Sequence, residues 1–96
     1  MTARKRNPYG TKIIKMTEEE IKQTIFRVLK KIAPDTEPEK LKPGDDIRHT
    51  LEIDSFDALQ LVVALDEQFG IETPEADYGK IATLKDLVGY IMGKRK

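Results

Sequence analysis

The sequence predicts an all-α protein, a small four-helix bundle in which one helix is short. Three observations carry that reading. Three stretches open on a capping residue followed three positions later by an acid, and each continues with apolar residues at helical spacing. No stretch shows a convincing strand pattern. The 96 residues suffice for one modest core, burying about 60–65% of the unfolded surface, and leave no room for a second.

Helix one is expected over about 17–32. Thr17 and Glu20 form a capping box, Glu18 and Glu19 fill the first turn, and Ile21, Ile25, Val28, Leu29 and Ile32 recur on one side until Pro34. Residues 33–53 contain Pro34, Pro38, Pro43 and Gly44 among charges, which excludes a long helix and suggests a surface loop. Leu41, Ile47, Leu51 and Ile53 are expected to pin that loop to the core. Its length in so small a domain demands an anchor or a function.

Helix two is expected from Ser55 to Phe69. Phe56, Leu59, Leu61, Val62, Val63, Leu65 and Phe69 cover more than a narrow stripe, so the helix is expected to contact neighbours on two sides. Gly70 is its stop, and a brief third helix is expected at 75–79 after Pro74. Thr83, with Asp86 three residues on, caps the last helix, which buries Leu84, Leu87, Val88 and Ile91 before Gly93. The domain therefore spans 16–93, between a basic, flexible N-terminal extension at 1–15 and a basic tail at 94–96. Residues 1–15 lack periodicity, and Met16-Thr17-Glu18 itself resembles a natural opening, so the extension is native, a cloning remnant or a mis-set start.

Composition narrows the chemistry. There is no cysteine, so the chain has no disulfide, no thiolate metal site and no catalytic thiol of its own. No apolar run approaches the ~20 residues that span a bilayer, and no signal segment opens the chain, so no stable membrane insertion and a cytoplasmic location are expected. The net charge is zero, with 17 bases and 17 acids, but it is unevenly spread. Arg4, Lys5, Arg6, Lys12, Lys15, Lys94, Arg95 and Lys96 lie at the ends, so segment 16–93 keeps nine bases against all 17 acids, a formal −8. Residues 45–77 hold ten acids against Arg48 alone, a formal −9. Such a field favours basic partners and disfavours nucleic acid, although a solvated surface has the same composition.

Within this acidic stretch, Ser55 stands in Asp54-Ser55-Phe56-Asp57. Asp54 and Ser55 are both good N-cap residues and Asp57 occupies the capping-box position, so the helix begins here and the serine is exposed. A phosphate ester on Ser55 would sit at the positive end of the helix dipole, favoured by a few tenths to about 1 kcal/mol. An ordinary capped helix shows the same tetrapeptide. His49 with Ser55 and an aspartate does not make a hydrolase, because no Gly-x-Ser-x-Gly elbow is present. Asp45, Asp46, Asp54 and Asp57 lack the spacing of a calcium loop.

The longer context is specific. From Leu51 the chain reads Leu-Glu-Ile-Asp-Ser-Phe-Asp-Ala-Leu-Gln-Leu-Val-Val-Ala-Leu-Asp-Glu-Gln-Phe-Gly-Ile-Glu-Thr-Pro, then Lys80-Ile81-Ala82-Thr83-Leu84 and Tyr90-Ile91. This run resembles the acyl carrier proteins of dissociated fatty acid and polyketide synthesis. The resemblance implies an acyl-carrier-like fold and 4'-phosphopantetheine attached to Ser55 through a phosphodiester, its thiol holding acyl groups as thioesters. It implies that Asp54 assists loading from coenzyme A through magnesium held by the loading synthase, and that the chain itself is no enzyme, with no catalytic residue and no resident metal. Expected partners are the phosphopantetheinyl transferase (holo-acyl-carrier synthase) and acyl-processing enzymes with basic surfaces, met by a monomer presenting Asp57, Asp66 and Glu67. Leu59, Val62, Val63 and Ile81 are the residues that the resemblance places beside a sheltered acyl chain.

Departures from the family pattern are visible. Gln60 replaces a frequent glutamate, Phe56 a leucine or methionine, Tyr78 an alanine and Thr73 an isoleucine. Thr50-Leu51-Glu52-Ile53 replaces Asp-Leu-Gly-x and so lacks the glycine. Two alternatives remain at this point: a peptidyl or aminoacyl carrier using the same serine, and a helical adaptor that binds basic partners without a prosthetic group.

Overall fold

The computed structural model describes residues 17–94, and the expectations for residues 1–15 and for Arg95 and Lys96 lie outside them. Four α-helices and two 3-10 segments follow in order: α1 (Glu18–Ile32), a 3-10 turn (Pro38–Lys40), α2 (Ile47–Leu51), α3 (Ser55–Phe69), a 3-10 helix (Glu75–Lys80) and α4 (Leu84–Lys94). Among the described residues there is no strand, only an isolated bridge between Asp46 and Thr83.

α1 starts as its sequence demands. Thr17 Oγ1 accepts the Glu20 N–H at 3.1 Å, and Glu20 Oε1 accepts the Thr17 N–H at 2.8 Å, so two orphan donors are satisfied reciprocally. Its apolar side buries Ile21, Ile25, Phe26, Val28 and Leu29. Thr24, a buried polar residue on the same helix, donates its hydroxyl to the Glu20 carbonyl at 3.0 Å and so leaves no unpaired group. α1 packs on both α3 and α4, and the core is completed by Leu41, Ile47 and Ile53 from the long connection.

That connection is more ordered than a plain surface loop. It buries Pro38 in a 3-10 turn and contains α2, which the sequence reading did not anticipate. Three backbone hydrogen bonds stitch it to the head of α4: Ile47 N–H to Ala82 O (2.9 Å), Leu84 N–H to Asp45 O (3.2 Å) and Lys85 N–H to Pro43 O (2.8 Å). The last two consume amides that the first turn of α4 cannot pair internally, and Thr83 Oγ1 accepts the Asp86 N–H at 3.0 Å. α4 itself continues through Gly93 to Lys94, one residue into the expected tail.

Two residues turn the chain through the left-handed region. Gly70 (φ 64°) ends α3, where a glycine is at ease. Glu52 (φ 56°) ends α2, at the position where the resembled pattern has glycine. A side chain there costs about 1 kcal/mol or more. Glu52→Gly is therefore expected to raise the melting temperature by about 2–6 °C, the strain relieved being partly offset by the freer unfolded chain. A thermal melt showing no rise, or a fall, would mean that the glutamate side chain offsets its own strain.

Candidate functional site

The turn at Glu52 determines where Ser55 goes. Ile53 is buried, and its N–H bonds the Arg48 carbonyl at 3.0 Å, so the two residues that follow are thrust out at the start of α3. Asp54 is the N-cap, its Oδ1 accepting the Asp57 N–H at 2.9 Å. Ser55 is the first residue of the helix and is exposed, as the sequence predicts. Its Oγ accepts a hydrogen bond from Arg48 Nη2 at 3.1 Å. Sequence reasoning counted Arg48 only as a charge; the contact depends on α2 and on the turn after it.

Beside Ser55 lies a cleft of about 990 Å³ between α2, α3 and the Glu75–Lys80 segment. Leu59, Val62, Ile81 and Tyr78 line it together with Ser55 and Arg48. Of the four residues expected to border a sheltered chain, Val63 is the exception: it does not line the cleft and is 50% exposed. Phe56 is 64% exposed and Leu59, at the cleft, is 43% exposed, so these three apolar residues of α3 stand outside the core. Leu61, Val62, Leu65 and Phe69 pack inward, while Phe56, Leu59 and Val63 present apolar surface outward.

The acids divide by role. Glu67 is exposed, whereas Asp66 is half-buried and clasps the chain after α3, accepting the Thr73 N–H at 3.0 Å and the Thr73 hydroxyl at 2.7 Å. Thr73 is thereby committed to this clasp and does not line the cleft. On the far side of the cleft, Tyr90 donates to Asp77 Oδ2 at 2.7 Å, tying the 3-10 helix to α4. That bond, aided by Lys80, holds the Asp77 carboxyl below the usual range, while burial and the same bond raise the Tyr90 phenol. Asp45 and Asp46 serve the backbone, accepting the N–H groups of Lys42 and His49, and no group of three or more His, Asp or Glu side chains among the described residues is placed to hold a metal ion.

A family model described as the phosphopantetheine attachment site matches residues 19–91. An acyl carrier protein of Campylobacter hominis is 37% identical over 78 residues, covering 81% of this chain and 92% of that protein. The chain belongs to the acyl carrier protein family. An acyl carrier protein of Zymomonas mobilis is likewise 37% identical over 75 residues, 78% of this chain and 90% of its own length. The solved structure of an acyl carrier protein from Enterococcus faecalis superposes with a TM-score of 0.63 at 31% identity, covering 82% of this chain and 99% of that one. Membership bears out the resemblance seen from Leu51 to Ile91, and the helical bundle is the fold of this family. No helix among the described residues is long and apolar enough to cross a membrane.

Proposed function

We propose that Ser55 is the attachment point of the phosphopantetheine arm, and that the protein carries acyl intermediates as thioesters on it for enzymes of fatty acid, lipid or polyketide synthesis. The observation that carries this reading is an exposed hydroxyl at the first residue of α3, on the rim of a largely apolar cleft. The residues present suit the group. Arg48 and the free amides of the first turn of α3 favour a phosphodiester, and the cleft offers apolar surface to an acyl chain. When bound, the arm supplies the thiol that a chain without cysteine lacks.

In this reading the chain is a carrier and not an enzyme, and its residues bind and present. The exposed Phe56, Leu59 and Val63, with Asp57 and Glu67 on the same helix, suit partners that pair basic groups with an apolar socket. Those partners are the phosphopantetheinyl transferase and acyl-processing enzymes of the cytoplasm. Incubation with coenzyme A, magnesium and a broad-specificity transferase is expected to add one phosphopantetheine, read by intact mass. A folded protein that gains nothing sinks the proposal.

Asp54 caps α3 and, in this reading, also assists loading. The two roles separate by substitution. Asp54→Ala is expected to cost about 1 kcal/mol of stability through the lost cap, with slower loading. Asp54→Asn keeps an accepting oxygen for the Asp57 N–H and should melt near wild type, yet load as slowly as Asp54→Ala. Loading of Asp54→Asn at the wild-type rate would leave Asp54 as a cap alone.

A further inference from the structure

Arg48 is the one basic side chain against ten acids between residues 45 and 77. A guanidinium in such company ordinarily pairs with a carboxylate. This one has no carboxylate within ion-pair distance among the described residues, and it donates instead to the neutral Ser55 hydroxyl. Its position is set by the backbone: the Arg48 carbonyl accepts the N–H groups of both Glu52 and Ile53, locking the end of α2 against the approach to α3. The fold therefore brings a free positive charge onto the oxygen to which a phosphodiester would be attached.

A phosphodiester there adds a full negative charge to a stretch, residues 45–77, that already holds ten acids, and like charges repel it. Arg48 is placed to offset that repulsion. A phosphate oxygen carries a full charge where the hydroxyl offers only a dipole, so the guanidinium gains more from the phosphodiester than from the bond it now makes to Ser55 Oγ. Arg48 and Ser55 also line the same cleft, so a guanidinium engaged with the phosphate would hold it on the cleft side of the α3 terminus.

We propose that Arg48 is a positioning residue that pairs with the phosphodiester on Ser55 and directs the arm from its first atoms toward the cleft. This rests on Ser55 being the attachment point. The experiment compares apo and holo forms of the full chain, wild type and Arg48→Ala, with intact mass certifying the load. In the wild type, loading is expected to move the Arg48 Nε–H signal in nitrogen-resolved NMR. The change in melting temperature on loading should be lower in Arg48→Ala than in wild type by about 2–6 °C, as expected for one exposed charge pair, and Arg48→Lys should recover part of it. An unmoved Arg48 signal, with the same change on loading in all three proteins, overturns the proposal. If Arg48→Ala resists the transferase, the wild-type signal alone decides. Failure of the wild type to gain mass instead overturns the attachment at Ser55, and this proposal with it.

Discussion

Ser55→Ala is expected to abolish loading outright while leaving stability within about 0.5 kcal/mol of wild type. The first part follows from chemistry: the new ester must form at Oγ, and alanine offers no oxygen. The second follows from the structure. The cap of α3 is Asp54 and not Ser55, the serine is exposed, and what the substitution removes is one exposed hydrogen bond from Arg48. Alanine is also the best helix former at an exposed position. Intact mass after incubation with coenzyme A and transferase, paired with a thermal melt, reads both halves. A mass gain that persists in Ser55→Ala would move the attachment point elsewhere. A large fall in melting temperature would show that the serine has a structural role that its single side-chain contact does not reveal.

Much of this site was legible in the sequence because its signals are local. The pairs Thr17 and Glu20, Asp54 and Asp57, and Thr83 and Asp86 lie three residues apart, and each closes the hydrogen bond that its spacing predicts. Gly70 stops α3 in the left-handed conformation for the same local reason. α2 escaped because five residues among prolines and charges have little helical preference of their own; buried Ile47 and its bond to the Ala82 carbonyl hold the helix, and both are tertiary. The pairing of Arg48 with Ser55 escaped with it, since it needs both α2 and a turn through positive φ at Glu52. The missing glycine is visible in the sequence, but the adoption of its left-handed conformation by Glu52 is not. Apolar counting in α3 failed differently. Phe56, Leu59 and Val63 look like core by hydrophobicity, yet they lie where the rest of the domain leaves α3 exposed, and hydrophobicity alone does not say which side of a helix is covered.

The difference between covered and uncovered apolar surface has a measurable consequence. Leu29 is fully buried in α1, the helix that packs on both α3 and α4, and Leu29→Ala is expected to cost about 2–5 kcal/mol by combining lost transfer energy with the cavity left behind. A domain this small sits toward the low end of the usual 5–15 kcal/mol or so, so the melting temperature should fall by about 10 °C or more. Val63→Ala removes one carbon fewer than Leu29→Ala, and Val63 is half exposed on α3. Val63→Ala should stay within about 0.5 kcal/mol of wild type, since little burial is lost and alanine suits a helix better than a β-branched residue. Chemical denaturation of the two variants side by side makes the comparison. If both lose stability equally, the outward face of α3 is held by contacts that its exposure does not show. If Leu29→Ala collapses the fold while Val63→Ala melts like wild type and loads more slowly, the outward face serves partners and the inward one the core.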